Sequence, residues 1–206
     1  LAECHKGQNV RRNLVASVQA MQRHGLQVMG GFIVGFDNDT ESIFDRQIEF
    51  IQKSGVVTAM VGMLQAIPGT PLFARLHAEG RISHEMTGDN ADGTTNIIPV
   101  MGLERLKAGY SRLMAELYSP EKFYARIKTC LRLYRPPKAP VRLHAAELYA
   151  FMRSIWKLGT VGAERSHYWR LFFWTLFHRP RSLALAVTFT IYGFHFRTVN
   201  ALNGIR

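Results

Sequence analysis

The sequence predicts an α/β segment, the last strands and helices of a partial or full (β/α) barrel of the TIM type, followed by an all-α segment. Three observations carry that prediction. From Gln8 to Gly80 the chain alternates helix, strand, helix, strand, helix. The two strands, Leu26 to Gly35 and Val56 to Leu64, are near-continuous apolar runs, the pattern of parallel strands covered on both faces. Beyond about residue 100 the apolar residues recur at helical spacing only. Two parallel strands bury too little surface to offset the ordering of their backbone, and a closed barrel takes about eight. With Leu rather than Met at position 1, the expectation is the C-terminal part of a longer enzyme, whose N-terminal half is a partner on the same polypeptide.

Each element has its own signal. Leu14, Val18 and Met21 stand at i, i+4 and i+7, which gives a helix over about 8–24 one apolar face. Gly25 follows as its stop. After the first strand, Phe36-Asp-Asn-Asp-Thr40 leads into a second helix, with Asp39 or Thr40 as N-cap and Glu41 near its positive end. Phe44, Ile48 and Ile51 form that helix's sheet-facing stripe, and Gly55 ends it. After the second strand, Ile67-Pro-Gly-Thr-Pro71 turns into a short helix ending at Gly80. Residues 83–99 are rich in Asp, Asn, Gly and Thr without apolar period and read as loop. Leu103, Leu106, Tyr110, Leu113 and Leu117 then form a heptad-like stripe, and Ser119-Pro120 opens the next helix as cap and first-turn proline. Pro136, Pro137 and Pro140 interrupt, and Gly159 and Pro180 divide the remainder into two or three helices.

Charge divides the chain more sharply. Residues 1–100 carry 8 Lys+Arg against 10 Asp+Glu, a net of −2, and residues 101–206 carry 18 against 5, a net of +13. The second half also holds 18 of the 23 aromatic residues. The break marks a module boundary, placed with the α/β part at 1–95 and a basic, aromatic-rich helical domain at 96–206. Cys4 and Cys130 are too few and too far apart for a disulfide framework or a cysteine metal site, and they fit a reducing, cytoplasmic compartment. The eight histidines show no metal-ligand spacing. The longest apolar stretch, Leu183 to Phe194, has 12 residues, short of the roughly 20 that span a bilayer, and reads as a buried or interfacial helix.

In parallel α/β folds, function gathers where strand ends lead into helices. Here those places are Gly35-Phe-Asp-Asn-Asp39 and Gln65-Ala-Ile-Pro-Gly-Thr70. Gly31-Phe-Ile-Val-Gly35, followed by an acidic turn, resembles the glycine–isoleucine–glycine strand of radical SAM enzymes, and Pro68-Gly-Thr-Pro-Leu72 resembles that superfamily's next loop. With Lys6-Gly-Gln-Asn9 upstream, Glu79-Gly-Arg81 downstream, and Pro99 through Tyr118-Ser-Pro120, the chain is similar to the C-terminal part of cobalamin-binding radical SAM enzymes, the group that includes hopanoid methyltransferases.

The resemblance implies a cofactor site. Gly31, Ile33 and Gly35 would lie under the adenine of S-adenosylmethionine, since a residue without Cβ lets the ring approach the backbone. The segment from Gln65 to Thr70 would close the pocket. The family's acidic residue after the second glycine does not align here, where the acids are Asp37 and Asp39. The implied chemistry is reductive cleavage of S-adenosylmethionine at a 4Fe-4S cluster, hydrogen abstraction by the 5′-deoxyadenosyl radical, and methyl transfer from cobalamin. The three-cysteine loop that holds the iron–sulfur cluster and the cobalamin domain are absent from this sequence, so residues upstream of it would bind both.

Plainer readings stand beside these. Gly30, Gly31 and Gly35 also suit tight helix–strand packing, Pro68-Gly-Thr70 an ordinary turn, and Asp37 and Asp39 turn and cap roles. Gln65 suits a pocket contact or a structural hydrogen bond. The stretch His167 to Arg181, with Arg165, Arg170, Arg179 and Arg181 among aromatic rings, suits an anionic membrane surface or a helical core with a solvated basic face. It therefore leaves open a non-catalytic module docking to membrane or polyanion, or peripheral attachment at the inner membrane face. Nucleic acid is disfavoured, because no recognisable module for it is present.

Overall fold

A computed structural model describes residues 12–85, 93–136, 145–202 and 204. Cys4 and the Lys6-Gly-Gln-Asn9 motif lie outside the described residues, as do Pro137 and Pro140. In chain order the elements are α1 (Leu14–Arg23), β1 (Met29–Val34), α2 (Ser42–Ser54), β2 (Thr58–Met63), α3 (Pro71–Ala78), α4 (Leu103–Tyr118), α5 (Pro120–Leu133), α6 (Ala145–Ser154), α7 (Arg165–His178) and α8 (Leu183–Leu202). A π-helical stretch, Ile155–Val161, continues α6, and a 3-10 turn, Pro180–Ser182, precedes α8. They pack as two compact units that interleave in sequence. One takes residues up to Met29, Phe50–Thr58 and Ser119–Phe196; the other takes Gly30–Glu49, Ala59–Tyr118 and the residues from Arg197 on.

The second unit carries the sheet, in which β1 and β2 run parallel. Among the described residues it has two strands, so the partial barrel expected from the sequence is not seen here. A hydrogen bond from the Leu64 N–H to the Val34 carbonyl (2.8 Å) sets Gly35 opposite Leu64, Ile33 opposite Gly62 and Gly31 opposite Met60. Side chains alternate across a strand, so those residues share one face. The other face carries Val34, Ala59, Val61 and Met63, all buried.

A two-stranded sheet leaves polar groups on both outer edges, and helices supply their partners. The Tyr110 hydroxyl donates to the Val61 carbonyl (3.1 Å) and the Tyr118 hydroxyl to the Ala59 carbonyl (2.6 Å), so α4 closes the free edge of β2. On β1, the Gln47 amide donates to the Ile33 carbonyl (2.9 Å). The expected stripe on α4 is correct for Leu106, Tyr110, Leu113 and Leu117, which are buried, while Leu103 is exposed. Gly109 on the same helix lies against the buried ring of Phe44 on α2: a Cβ there would come within 2.1 Å of it.

The first unit is helical apart from the ends of the strands. Gly25 stops α1 as expected, at φ +83°, with its Cα so near the Arg135 carbonyl that a Cβ would approach to 2.7 Å. Ser119 caps α5, accepting from the Lys122 N–H (3.4 Å), with Pro120 in the first turn. On α5, Arg126 is buried; its guanidinium donates to the Gln52 side chain (3.0 Å) and stacks 5.0 Å from the Phe123 ring centre. Burial pushes the Cys130 thiol up to about 12, which leaves it protonated and chemically quiet. Gly159 does not divide the helices as expected. It is buried inside the π-helical stretch, where the Trp169 indole donates to its carbonyl (2.8 Å), and the break falls at Gly162 instead.

Two substitutions test this packing. Gly109→Ala should destabilise the fold by about 1–3 kcal/mol in urea denaturation, because the clash with a buried ring outweighs the better helix propensity of Ala. Tyr110→Phe should cost about 1–3 kcal/mol by leaving the Val61 carbonyl buried without its hydroxyl donor.

Candidate functional site

The candidate site lies at the carboxyl ends of β1 and β2, within the second unit. The β1 loop closes on itself: the carboxylate of Asp39 accepts from the backbone N–H of Gly35 (2.9 Å) and of Phe36 (3.0 Å). Of the two residues that the sequence offers as the α2 N-cap, Asp39 or Thr40, Asp39 takes the turn role, its carboxylate facing back to the strand end. Gly35 has φ +104°, a conformation that glycine alone adopts without strain, and a Cβ there would lie 3.0 Å from Leu106.

Asp37 is the hub of the surrounding charges. Its carboxylate meets Arg81 at 2.6 Å and Arg75 at 2.7 Å, and Glu79 meets the same two arginines at 2.9 and 3.2 Å. The Arg81 guanidinium also donates to the Ile98 carbonyl (2.9 Å). The hydrogen bond from Arg81 is the largest cause holding the Asp37 carboxyl below its usual range, with burial opposing and Arg75 adding to it. The Glu79-Gly-Arg81 motif of the sequence thus forms a latch between the β1 loop and the end of α3.

The β2 loop is held by part of the segment that the sequence reads as loop. Asn96 is buried and makes two bonds to Ala66, accepting from its N–H (2.8 Å) and donating to its carbonyl (2.9 Å). Thr95 donates to the Leu64 carbonyl (2.5 Å). Ile97 bridges antiparallel to Ile82 and joins a small core with Leu64, Ala66 and Leu76. Within the loop expected over 83–99, Thr95, Asn96 and Ile97 are buried and support the β2 loop. The signal available was the apolar pair Ile97-Ile98 after the polar Thr94-Thr95-Asn96.

The five expected cofactor residues fall in this unit with different surroundings. Gly31 and Ile33 share the uncovered face of β1 with Met60 of β2; Ile33 is 48% and Met60 51% exposed. Apart from Gly31 itself and its two chain neighbours, no heavy atom of the described residues lies within 4 Å of a Cβ placed there. Gly35 lies on the same face but is packed under Leu106. Gln65, half-buried, donates to the Thr94 carbonyl (3.4 Å). Thr70 caps α3: its hydroxyl donates to the Ile67 carbonyl (2.7 Å) and accepts from the Phe73 N–H (3.2 Å). Among the described residues no group of three or more His, Cys, Asp or Glu side chains is placed to hold a metal ion.

Comparison with known proteins gives this geometry a context. The chain is 33% identical over 196 residues to an uncharacterized methyltransferase of Synechocystis sp., covering 93% of this chain and 36% of that protein. It is 28% identical over 178 residues to the hopanoid C-2 methylase of Rhodopseudomonas palustris, covering 82% of this chain and 33% of the relative. It is also 28% identical over 130 residues to the bacteriochlorophyllide d C-12(1)-methyltransferase of Chlorobaculum tepidum, covering 62% and 28%. The chain spans about a third of the length of these curated relatives, and no solved structure matches it. The class to which it is related is therefore that of methyltransferases. Residues 70–203 match the domain of unknown function DUF4070, and the chain belongs to that family.

Asp37 gives the site a defined pH response. A carboxyl depressed by folding contributes stability that is fully present above its ordinary value of 3.8 and is lost as pH falls through the folded value. The gap in thermal stability between the parent and Asp37→Asn should be widest near neutral pH and close below about pH 4, read by melting over a pH series. Asn96→Ala should destabilise by about 2 kcal/mol or more in the same melts, since it strands both polar groups of Ala66.

Proposed function

We propose that this chain is the C-terminal part of a radical S-adenosylmethionine enzyme that transfers a methyl group to an unactivated carbon, with cobalamin as methyl carrier. The division into a barrel part at 1–95 and a helical domain at 96–206 belongs to this proposal, as does the N-terminal half that would complete the barrel. One structural observation supports it most: the backbone at Gly31 is open toward solvent on a strand face bordered by Ile33 and Met60. A packing role for Gly31 has no partner among the described residues. A planar ring laid on that face would meet backbone and two apolar side chains, the surroundings that favour an adenine.

The five residues divide the work. Gly31 leaves room for the ring, and Ile33 gives it an apolar flank. Gly35 turns the chain so that the Asp39-closed loop rises past the strand end, and Thr70 fixes the start of α3 after the Gln65 loop. The Asp37 latch and Asn96 hold the loops in place before any ligand arrives, which lowers the ordering entropy lost on binding. Bound there, S-adenosylmethionine would supply the radical chemistry that opens a carbon–hydrogen bond ahead of methylation. The described residues offer no ligand set for the 4Fe-4S cluster, and the sequence lacks its three-cysteine loop; no step at the cluster or at cobalamin is assigned to them.

Gly31 and Gly35 separate the ligand role from the fold role. Gly31→Val, placed where space is open and in a strand that favours Val, should leave the melting temperature within about 2 °C. In the intact protein it should weaken S-adenosylmethionine binding by about tenfold or more in equilibrium dialysis. Gly35→Ala should lower the melting temperature. Unchanged binding by Gly31→Val would overturn the adenine reading of β1. The reading frame upstream of Leu1 should encode three cysteines separated by three and two residues; a frame without them would remove the radical reaction.

A further inference from the structure

We infer that the helical unit carries a surface for anionic lipid, built from α6, the π-helical stretch and α7. The inference is independent of the proposed activity. Large apolar side chains stand out from these elements rather than into a core: Tyr149 and Met152 on α6, Trp156 and Val161 on the π-helical stretch, Phe173 and Phe177 on α7. Trp156 is 64% and Phe177 76% exposed, far beyond what scattered surface apolar residues need as explanation.

Contacts tie the three elements that carry them to one another. Phe151 of α6 stacks on Phe172 of α7 with ring centres 6.2 Å apart. The Trp169 indole is tied to Gly159 of the π-helical stretch. From Trp169 a ladder of stacked rings runs down α7 through Phe173 (5.6 Å) to Phe177 (6.5 Å).

Charge selects the occupant. From Arg165 to Phe196 the sequence has four arginines, Arg165, Arg170, Arg179 and Arg181, and no acidic residue. Arg165, Arg170 and Arg181 are exposed, as is Arg153 on α6. Aromatic rings beside exposed arginines match an anionic bilayer surface, where rings enter at headgroup depth and guanidinium groups meet lipid phosphate. A second copy of this surface would set arginine against arginine across a two-fold axis. A nucleic acid would need a row of open ring faces for successive bases, whereas Trp169, Phe173 and Phe177 stack on one another and leave no such row. Among the described residues no helix is long and apolar enough to cross a membrane, so the attachment is peripheral.

The test is co-sedimentation of the intact protein with phosphatidylcholine vesicles with or without phosphatidylglycerol. Binding should require phosphatidylglycerol, weaken as salt rises from about 0.1 M to about 0.5 M, and shift tryptophan emission to the blue. Trp156→Ser with Phe177→Ser should lower partitioning about tenfold with an unchanged circular dichroism spectrum. If that pair fails to fold, Arg170→Gln with Arg181→Gln should give the same loss at low salt. Absence of vesicle binding overturns the inference. So does binding that duplex DNA competes away and that the aromatic pair leaves unaltered, which would mark a general polyanion site. A dimer that the aromatic pair converts to monomer, with no vesicle binding, would assign the surface to a second copy and likewise overturn it.

Discussion

The hydrogen-bond needs of a two-stranded sheet govern how the second unit is built. Two parallel strands satisfy each other on one side only, and every outward N–H and C=O must find water or a side chain. Here Tyr110 and Tyr118, eight residues apart on one helix, reach the carbonyls of Val61 and Ala59, two positions apart on β2. Eight residues rise about 12 Å along a helix, against about 7 Å for two residues of strand. The long tyrosine side chains absorb the difference. On β1, Gln47 and Asp39 do the same for the Ile33 carbonyl and the Gly35 N–H. Once these four side chains are committed, α2, α4 and the β1 loop that carry them have little freedom in where they lie.

The loops at the strand ends are fixed by a second set of polar contacts, most of them long-range. Asp37 and Arg81 are 44 positions apart in sequence, and Ala66 and Asn96 are 30 apart. Each contact closes a sizeable stretch of chain, and the entropy of closure grows only slowly with length. A partly buried charged network at 2.6 to 3.2 Å and a buried amide pair can therefore hold loops that their own sequence would leave mobile. Positioning by distant residues is what a binding surface needs, since a ligand then meets groups already in place.

Glycines that look alike in the sequence have opposite surroundings. Gly35 is required by the backbone, with its positive φ and the Leu106 side chain against it; Gly31 is required by nothing among the described residues. A glycine without an internal reason, on an exposed strand face of a methyltransferase relative, is the residue most informative about a ligand. Thr70 is the reverse case, since its hydroxyl is already used at both ends by the α3 cap.

The sequence by itself determined the element types, the parallel pairing of two apolar strands, the Gly25 stop, the Ser119 cap, the α4 stripe and the family. These rest on periodicity, local turn chemistry and short motifs, all written within a few residues of where they act. Only the tertiary structure decided that Asp39 closes the β1 loop, that Gly159 is buried in a π-helical stretch, that Thr95 and Asn96 support the β2 loop, and that the compact units interleave. Those outcomes depend on contacts between residues tens of positions apart, or on which of two nearby polar groups a carboxylate reaches first. No local pattern encodes that choice, because the competing bonds are alike in strength and differ only in geometry.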